Sequence, residues 1–288
     1  HRSRAPEVVD RVIIRFAGDS GDGMQLTGDR FTASSALYGN DLATLPDFPA
    51  EIRAPAGTVA GVSAFQVHIS DHDITTPGDE PNVLVAMNPA ALRSQVGRLA
   101  QGATIILNSD AFDERSLAKA GYDSDPRTDG SLDGFTVYEV PMTSLTKSAV
   151  TPLRVKPRDA ERSKNFFALG LISWMYTRPV DTTLEWIQRK FVGNPKVAEA
   201  NTVAFKAGHA FGETAELFDQ PFEVKPATLP PGTYTNINGN TALAWGLIAA
   251  SQLADMPLFL GEFRRVLFRS GLVPGGNGFL GHTAREAL

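Results

Sequence analysis

The stretch VIIRFAGDSGDGM, Val12–Met24, decides the fold of this chain. Its first six residues are a mostly apolar run that predicts a buried β-strand. Three glycines in the next six residues turn the chain, and a helical pattern of apolar residues starts at Met24. A strand, a glycine loop and a helix in this order present backbone N–H groups and a helix N-terminus to an anion. The stretch therefore predicts an α/β fold with a ligand loop at its centre.

The spacing of the loop, Gly-x-x-Gly-x-Gly, matches neither of the common nucleotide-binding patterns. The dinucleotide pattern is Gly-x-Gly-x-x-Gly, and a P-loop would continue with Lys-Ser/Thr. A tight strand-to-helix turn without a ligand would need the same glycines. Asp19 and Asp22 would repel a bare phosphate. They are expected to cap the helix, to accept a hydrogen bond from a hydroxyl or amine, or to face a metal-bound cofactor.

The first half of the chain alternates between strand and helix patterns. The predicted strands after the first are 62–70, 82–87, 103–107 and 135–140, and the predicted helices are 24–38 and 89–100. Residues 41–61 contain three prolines and are expected to form no regular element. Strands separated by helical segments are typical of βαβ units. We therefore predict a mainly parallel sheet.

The second half is mostly helical and contains a linker. Helices are predicted over 159–176, 182–192, 195–217 and 241–253, and a short strand over 257–261. Residues 222–235 hold three prolines and are predicted to be extended. The segment beyond this linker reads as the beginning of a second α/β domain, with too few residues to complete it.

A few polar residues are candidates for a ligand site. Arg53 lies in a glycine- and proline-rich loop, where its planar charged group would either clamp a carboxylate or phosphate or pair with Glu51 or Asp47. Asn88 and Asn108–Asp110 follow apolar strands, where they would face a ligand crevice or cap helices.

Lys164 starts an apolar helix, where a cation is unfavourable for the helix dipole. It is expected either to have a partner outside that helix or to be a solvated lysine. From local chemistry alone, the residues indicate an α/β ligand-binding domain and no catalytic set.

The composition excludes several classes of function. The net charge is −5 and no long basic block occurs, so neither a nucleic acid nor an anionic membrane surface is an expected partner. The chain has no cysteine, so a cysteine-bound metal centre for electron transfer would sit on another chain. His68 and His72 flank a strand end and are expected at the surface rather than at a metal.

Targeting signals are not evident in the sequence. No apolar run reaches transmembrane length and no signal-peptide pattern opens the chain, so we expect a cytoplasmic protein without a membrane partner. The first residue is His1 rather than Met, and the front end of the segment is therefore expected to be cut.

Five stretches together resemble one known family, the alpha subunits of 2-oxoacid:ferredoxin oxidoreductases. The stretches are RFAGDSGDGMQLTGDRF (15–31), LATLPDFPAEIRAPAGTVAGVSAFQVHISD (42–71), VLVAMNPAAL (83–92), ERSKNFFALGL (161–171) and GNTALAWGLIAASQ (239–252). The resemblance is to the 2-oxoglutarate type, which has a fused N-terminal gamma domain.

The resemblance implies a domain organisation. A tail (1–10) precedes a three-layer, mainly parallel-sheet gamma domain with a helical extension (11–221). The linker (222–235) then leads to the truncated start of a thiamine-enzyme pyrimidine-binding α/β domain (236–261).

It also implies an activity, the oxidative decarboxylation of a 2-oxoacid to an acyl-CoA with electrons passed to ferredoxin. Coenzyme A would be a co-substrate. Thiamine diphosphate, magnesium and an iron–sulfur cluster would lie mainly on a separate beta subunit of a hetero-oligomer.

The family's glycine loop and its Glu-Ile/Met-Arg segment fall on residues of this chain, which become candidate coenzyme A or interface positions. They are Gly18, Asp19, Ser20, Gly21, Asp22, Gly23, Met24 and Arg53. The family's glutamate that activates the aminopyrimidine has no counterpart here. The isolated chain is therefore expected to be inactive, with no catalytic residue of its own.

The last 27 residues depart from the family. After Gly261 the family continues with Tyr-Pro-Ile-Thr-Pro, whereas this chain reads EFRRVLFRS over Glu262–Ser270. We hypothesise that 262–288 is foreign, poorly ordered sequence. Two alternatives stay open, a non-catalytic regulatory module that binds coenzyme A or a nucleotide, and a subunit for another 2-oxoacid such as pyruvate.

Overall fold

The computed structural model describes residues 5–19, 21–48, 61–215, 217–235 and 237–256. The chain divides into two compact units, His1–Leu229 and Pro230–Leu288. The first unit contains the whole described sheet. In the second unit, the part that the structure describes forms one helix.

The centre of the first unit is a six-stranded sheet. Strands β2 to β7 form this sheet. In chain order, the described strands of the first unit are β1 (Glu7–Val9), β2 (Arg11–Asp19), β3 (Asp41–Asp47), β4 (Val62–Ser70), β5 (Val83–Ala86), β6 (Thr104–Asn108), β7 (Thr136–Val140) and β8 (Phe222–Val224). The sheet order is β3-β4-β2-β5-β6-β7, and β1 and β8 form a separate parallel pair. The pairs β2–β5, β5–β6 and β6–β7 are parallel, whereas β4 is antiparallel to both of its neighbours. The predicted mainly parallel sheet is confirmed.

Helices cover both faces of this sheet. They are α1 (Met24–Tyr38), α2 (Pro89–Gln95), α3 (Glu114–Ala120), α4 (Met142–Val150), α5 (Pro157–Arg162), α6 (Lys164–Met175), α7 (Asp181–Lys190) and α8 (Pro195–Thr214), and α9 (Gly239–Leu253) lies in the second unit. Successive strand residues point to opposite faces. Phe16 and Val85 join a cluster with α1, α6 and α8, whereas Ala17 and Ala86 join a cluster with α2 and α3. The sheet therefore lies between two helical layers.

The expectation that residues 41–61 form no regular element is wrong for their first part. Asp41–Asp47 is the edge strand β3, and Pro46 stands opposite Phe65 in its register. An edge strand leaves one row of N–H groups unpaired, so a residue without an N–H is tolerated there. Residues 49–60 lie outside the described part of the chain.

The single helix predicted over 159–176 is two helices. The break is at Ser163, whose hydroxyl donates to Asp159 O (3.0 Å) and to Asn201 Oδ1 (2.8 Å). These bonds tie the α5–α6 junction to α8, because Asn201 lies on α8. The predicted helix 89–100 is also shorter than expected, since it ends at Gln95 and continues as a 3₁₀ turn, Val96–Arg98. The sequence patterns did not predict α3 and α4.

Helices α6 and α8 cross in backbone contact. A Cβ atom on Gly208 would lie 2.0 Å from Phe167 O, and a Cβ on Gly170 would lie 2.0 Å from Phe205 O. Only glycine allows backbones to approach this closely. The crossing fixes α6, and its first residues, Lys164 and Asn165, therefore have a defined position near the glycine loop.

The small β1–β8 pair joins the two ends of the first unit. Arg178 is 3% exposed and donates to Val224 O (3.1 Å) and Tyr176 O (2.8 Å), and it also bonds to Asn40 Oδ1. Burial lowers the pKa of Arg178 to about 10. Residues 222–224, at the start of the expected linker, are thus a strand held by a buried cation.

Candidate functional site

The site forms at the carboxyl ends of the parallel strands, where open α/β sheets bind their ligands. Asp19 ends β2 and Asn88 follows β5. Asn88 Nδ2 donates to Asp19 Oδ1 (2.9 Å), and Asn88 Oδ1 accepts from Ala91 N at the start of α2 (2.8 Å). Asn88 is therefore a helix cap that also holds the Asp19 carboxylate in position.

The glycine loop is shorter than its sequence suggests. Gly18 and Asp19 belong to β2, where Gly18 stands opposite Ser63 on β4. Asp22 N donates to Asp19 O (2.8 Å), and Asp22 Oδ2 accepts from Asp19 N (3.0 Å). The loop thus closes on its own backbone. Ser20 lies outside the described residues.

Helix α1 begins without a side-chain cap. Its N-cap residue is Gly23, at φ 75°, a left-handed conformation that glycine adopts without strain. Neither Asp19 nor Asp22 caps the helix, so the capping alternative is wrong, whereas Asp22 does lie beside an amine, Lys164 Nζ. The first backbone hydrogen bond of α1 runs from Thr27 N to Gly23 O (3.0 Å). The N–H groups of the first turn, which starts at Met24, have no side-chain partner among the described residues and could bind an anion.

Gly21 differs from Gly23 because no described atom would obstruct a side chain at position 21. A Cβ on Gly21 would meet nothing within 4 Å, and Gly21 is exposed. At Gly23, by contrast, a Cβ would collide with the Asn165 amide. Packing against the described residues does not require a glycine here, and the exposed backbone leaves room for a ligand to approach.

Lys164 has a partner outside its own helix, as one of the two sequence alternatives expected. Its Nζ lies 2.9 Å from Asp22 Oδ1, and the side chains are only 15% and 13% exposed. The pair neutralises one of the two loop carboxylates. The repulsion that Asp22 would exert on an anionic ligand is therefore largely removed.

Asn165 is the residue that the sequence analysis overlooked at this site. It is 6% exposed, its amide packs against Gly23, and its Oδ1 has no hydrogen-bond partner within the described part of the chain. A buried unpaired amide oxygen costs about 1–3 kcal/mol. The signal in the sequence was a polar residue at the start of the otherwise apolar helix α6.

The segment that carries Arg53 begins and ends beside the glycine loop. At its start, Gln25 Nε2 donates to Asp47 O (3.2 Å). At its end, Val62 stands opposite Asp19 in the β2–β4 register. Arg53 itself lies outside the described residues. Both ends of its segment are nevertheless tied to the elements that flank the loop.

Asp47, one of the partners considered for Arg53, bonds to another arginine. Arg15 Nη2 donates to Asp47 Oδ2 (2.5 Å), while its other nitrogens donate to Gln95 Oε1 (2.6 Å) and Gln66 Oε1 (3.0 Å). Burial lowers the pKa of Arg15, and the charge of Asp47 partly offsets this. A charged residue inside the apolar run of β2 was the signal for this network.

The other sequence candidates have structural roles in the described residues. Asp110 accepts hydrogen bonds from Ser144 N (2.7 Å) and Ser144 Oγ (2.8 Å) and so caps α4. Asn108 Nδ2 donates to Met87 O and Thr143 Oγ1, which links β6 to its neighbours. The capping alternative is the one that the structure favours.

The expected surface position of the histidine pair is wrong for His68. That side chain is 5% exposed, and its Nδ1 lies 2.8 Å from Thr76 O. His72 is about half exposed and pairs with Asp71 (2.8 Å). The described residues contain no group of three or more side chains that could hold a metal ion. No helix among them is long and apolar enough to cross a membrane.

With this geometry established, comparison with known proteins identifies the family. Residues 13–211 match the family model described as pyruvate ferredoxin/flavodoxin oxidoreductase. The chain belongs to this family. The matched range includes the central sheet except for the first two residues of β2, the glycine loop and the start of α6, which supplies Lys164 and Asn165.

A curated protein is similar in sequence to most of this chain. The chain is 54% identical over 263 residues to the 2-oxoglutarate oxidoreductase subunit KorA of Mycobacterium tuberculosis, a match that covers 91% of this chain and 40% of the relative. The chain thus spans less than half the length of that relative.

Two solved structures share the fold. A 2-oxoglutarate:ferredoxin oxidoreductase from Magnetococcus marinus, solved with 2-oxoglutarate, coenzyme A and succinyl-CoA bound, matches with 27% identity and a TM-score of 0.63, covering 84% of this chain and 37% of that one. A keto/oxoacid ferredoxin oxidoreductase gamma subunit from Geobacter sulfurreducens matches with 19% identity and a TM-score of 0.50, covering 71% of this chain and 99% of that one. The second match extends to the fold alone.

Proposed function

We propose that this chain is part of the alpha subunit of a 2-oxoglutarate:ferredoxin oxidoreductase. The enzyme would oxidatively decarboxylate 2-oxoglutarate to succinyl-CoA and pass the electrons to ferredoxin. The observation that carries the proposal is the 54% identity to a 2-oxoglutarate oxidoreductase subunit over nearly the whole of this chain. In the same proposal, residues 11–221 are the gamma domain and residues 236–261 begin a pyrimidine-binding domain.

The glycine loop would form part of the coenzyme A site. The features that support this role are the uncapped start of α1, the free approach to Gly21 and the pairing of Asp22 with Lys164. Coenzyme A carries phosphate groups, which the first N–H groups of a helix bind well. We place Gly18, Asp19, Ser20, Gly21, Asp22, Gly23 and Met24 at this site, together with Arg53.

Lys164 and Asn165 would complete the site from the side of α6. Lys164 holds the Asp22 carboxylate away from the ligand, and the buried Asn165 Oδ1 accepts a hydrogen bond that a hydroxyl or N–H group of coenzyme A would donate. Asn88 would likewise hold the Asp19 carboxylate away from the ligand. These side chains bind and orient the co-substrate, and none of them takes part in bond making.

The redox chemistry would lie outside this chain. The chain has no cysteine for an iron–sulfur cluster, and its described residues offer no metal site, so these groups do not fit here. In our proposal a beta subunit supplies thiamine diphosphate, magnesium and the cluster within a cytoplasmic hetero-oligomer, and the isolated chain is inactive.

The test of the activity uses the alpha subunit extended to full length and co-expressed with its beta subunit. We expect reduction of ferredoxin or viologen that requires both 2-oxoglutarate and coenzyme A. Pyruvate is the comparison substrate, because the family model is named for it. If pyruvate supports reduction and 2-oxoglutarate does not, the substrate is pyruvate. The absence of coenzyme-A-dependent reduction with any 2-oxoacid would reject the proposal.

The test of the site is a structure of the assembled enzyme with coenzyme A. We expect a backbone N–H of Gly21 to Met24 within hydrogen-bond distance of the ligand. Calorimetry on the 288-residue chain adds a second reading. Tight binding of coenzyme A by the chain alone, in an assembly without oxidoreductase activity, would favour a regulatory module instead.

A further inference from the structure

A pocket separate from the glycine loop lies between α1 and α7 of the first unit. Its volume is about 140 Å³, several times the space that one water molecule occupies in the liquid. The residues that matter for its chemistry are Arg30, Ser34 and Leu37 on α1 and Thr182, Trp186 and Arg189 on α7. The α1 residues of this pocket begin more than one helical turn after the glycine loop, so the pocket is separate from the proposed coenzyme A site.

One wall of the pocket presents a fixed guanidinium group. The Arg30 guanidinium lies 4.4 Å from the centre of the Trp186 ring. Its Nε and Nη2 donate to Asp29 Oδ2 (3.3 and 3.0 Å). Its Nη1 has no partner among the described residues. Arg30 is therefore positioned in advance and keeps a donor for a ligand.

The opposite wall presents a second cation. Arg189 is exposed and makes no hydrogen bond or ion pair with any residue that the structure describes. Glu185 is the acidic residue in the described lining and Asp29 already pairs with Arg30, so Arg189 is the guanidinium of this pocket that has no carboxylate partner among the described residues. Paired arginines on two walls favour an oxygen anion, since their planar donors match carboxylate and phosphate groups.

A buried hydroxyl between these walls also lacks a partner. Thr182 lines the pocket, but its Oγ1 exposes almost no surface in the free protein and has no hydrogen-bond partner in the described part of the chain. Such a group costs about 1–3 kcal/mol unless a ligand or an ordered water satisfies it. Thr182 is also the second residue of α7, a ten-residue helix that no side chain caps. The positive end of the α7 dipole favours an anion at the same place, and the exposed Asp181 in the first turn offsets part of this effect.

We propose that this pocket binds a small oxyanion, a phosphate or carboxylate group of a small molecule, between Arg30 and Arg189. Thr182 Oγ1 donates a hydrogen bond to the anion, and the apolar surfaces of Trp186 and Leu37 contact the rest of the molecule. The proposal is independent of the proposed enzymatic activity, because it involves neither the glycine loop nor α6.

The test is calorimetric titration of the 288-residue chain with two probes, inorganic phosphate and succinate. We expect saturable binding of at least one probe below about 10 mM, and the probe that binds identifies the class of anion. Arg189→Gln is expected to weaken binding about tenfold. Arg158→Gln is the matched control, because Arg158 is an exposed arginine on α5 with no charge partner among the described residues, and it should leave affinity unchanged.

Thr182→Val provides a second variant that retains the fold. Valine has the shape of threonine, so the free protein should be as stable as the wild type or more so, while anion affinity falls several-fold. Loss of affinity without loss of stability identifies a ligand contact rather than a structural role. The proposal is overturned if neither probe saturates the wild type at about 10 mM, or if Arg189→Gln and Arg158→Gln bind alike.

Discussion

The Lys164 ammonium group lies 2.9 Å from the Asp22 carboxylate, so the first residue of α6 is joined to the glycine loop. Two segments more than a hundred residues apart in the chain thereby form one surface. The pair is mostly buried, at 15% and 13% side-chain exposure. Breaking it leaves a buried charge without its partner, which is more costly than losing an exposed ion pair.

Replacing Lys164 by methionine should therefore destabilise the first unit and weaken coenzyme A binding. We expect a loss of about 2 kcal/mol in the free energy of unfolding, measured by denaturant titration. Lys206→Met is the control, since Lys206 is exposed on α8. In the Lys164→Met background, Asp22→Asn should restore part of the lost stability by removing the unpaired charge. If the two substitutions are additive, the pair does not hold the loop.

Substitutions at two loop glycines should change different properties, stability at Gly23 and coenzyme A affinity at Gly21. Gly23→Ala places a side chain at φ 75° and against Asn165, and it should cost about 2 kcal/mol of stability. Gly21→Ala meets no described atom, so it should leave stability unchanged and weaken coenzyme A binding about tenfold in the assembled enzyme. Gly97→Ala, equally free of contacts, is the control for both measurements. Unchanged affinity in Gly21→Ala would place the ligand elsewhere.

The crossing of α6 and α8 should tolerate no side chain at its centre. A Cβ on Gly208 would lie 2.0 Å from Phe167 O, so Gly208→Ala must push the helices apart. We expect a loss of about 3 kcal/mol of unfolding free energy, measured by thermal or denaturant unfolding. Gly193→Ala has open space around its Cβ and should differ little from the wild type. Equal stability of the two variants would contradict the observed crossing.

His209 should contribute to the loss of stability in mild acid. Burial lowers its pKa below the ordinary value of 6.5, and the charge of Glu213 only partly opposes this. As the pH falls below 6.5, the unfolded chain binds a proton that the folded chain refuses, so stability decreases until the folded pKa is passed. His209→Gln should show a smaller decrease in unfolding free energy between about pH 7 and pH 5. Parallel curves for the two proteins would exclude this contribution.

The sequence predicted the elements whose patterns are local. The apolar run of β2, the glycines after it and the Gly39 stop at the end of α1 each specify a conformation within a few residues. The first helix was predicted at its observed bounds, 24–38. The strands β4 to β7 were located within two residues at each end, because alternation and apolar runs reflect burial on one or both faces.

The features that sequence patterns missed depend on tertiary contacts. β3 contains Pro46 and becomes a strand because β4 pairs with it at the sheet edge. The α5–α6 break at Ser163 depends on Asn201, a residue 38 positions away. At the site, the sequence singled out Lys164 without naming Asp22 as its partner, and it gave Asn165 no role. No local pattern encodes such a pairing, because the packing of α6 against α8 determines which residues lie next to Lys164 and Asn165.

The parallel pair β1–β8 has a consequence for how the chain folds during synthesis. Glu7 and Gln220, which are hydrogen-bonded next to this pair, are 213 positions apart. At typical translation rates, β1 leaves the ribosome about 10 to 40 s before its partner strand is made. Strand β1 therefore lacks its native partner strand during this interval, which leaves its edge open to proteases or chaperones.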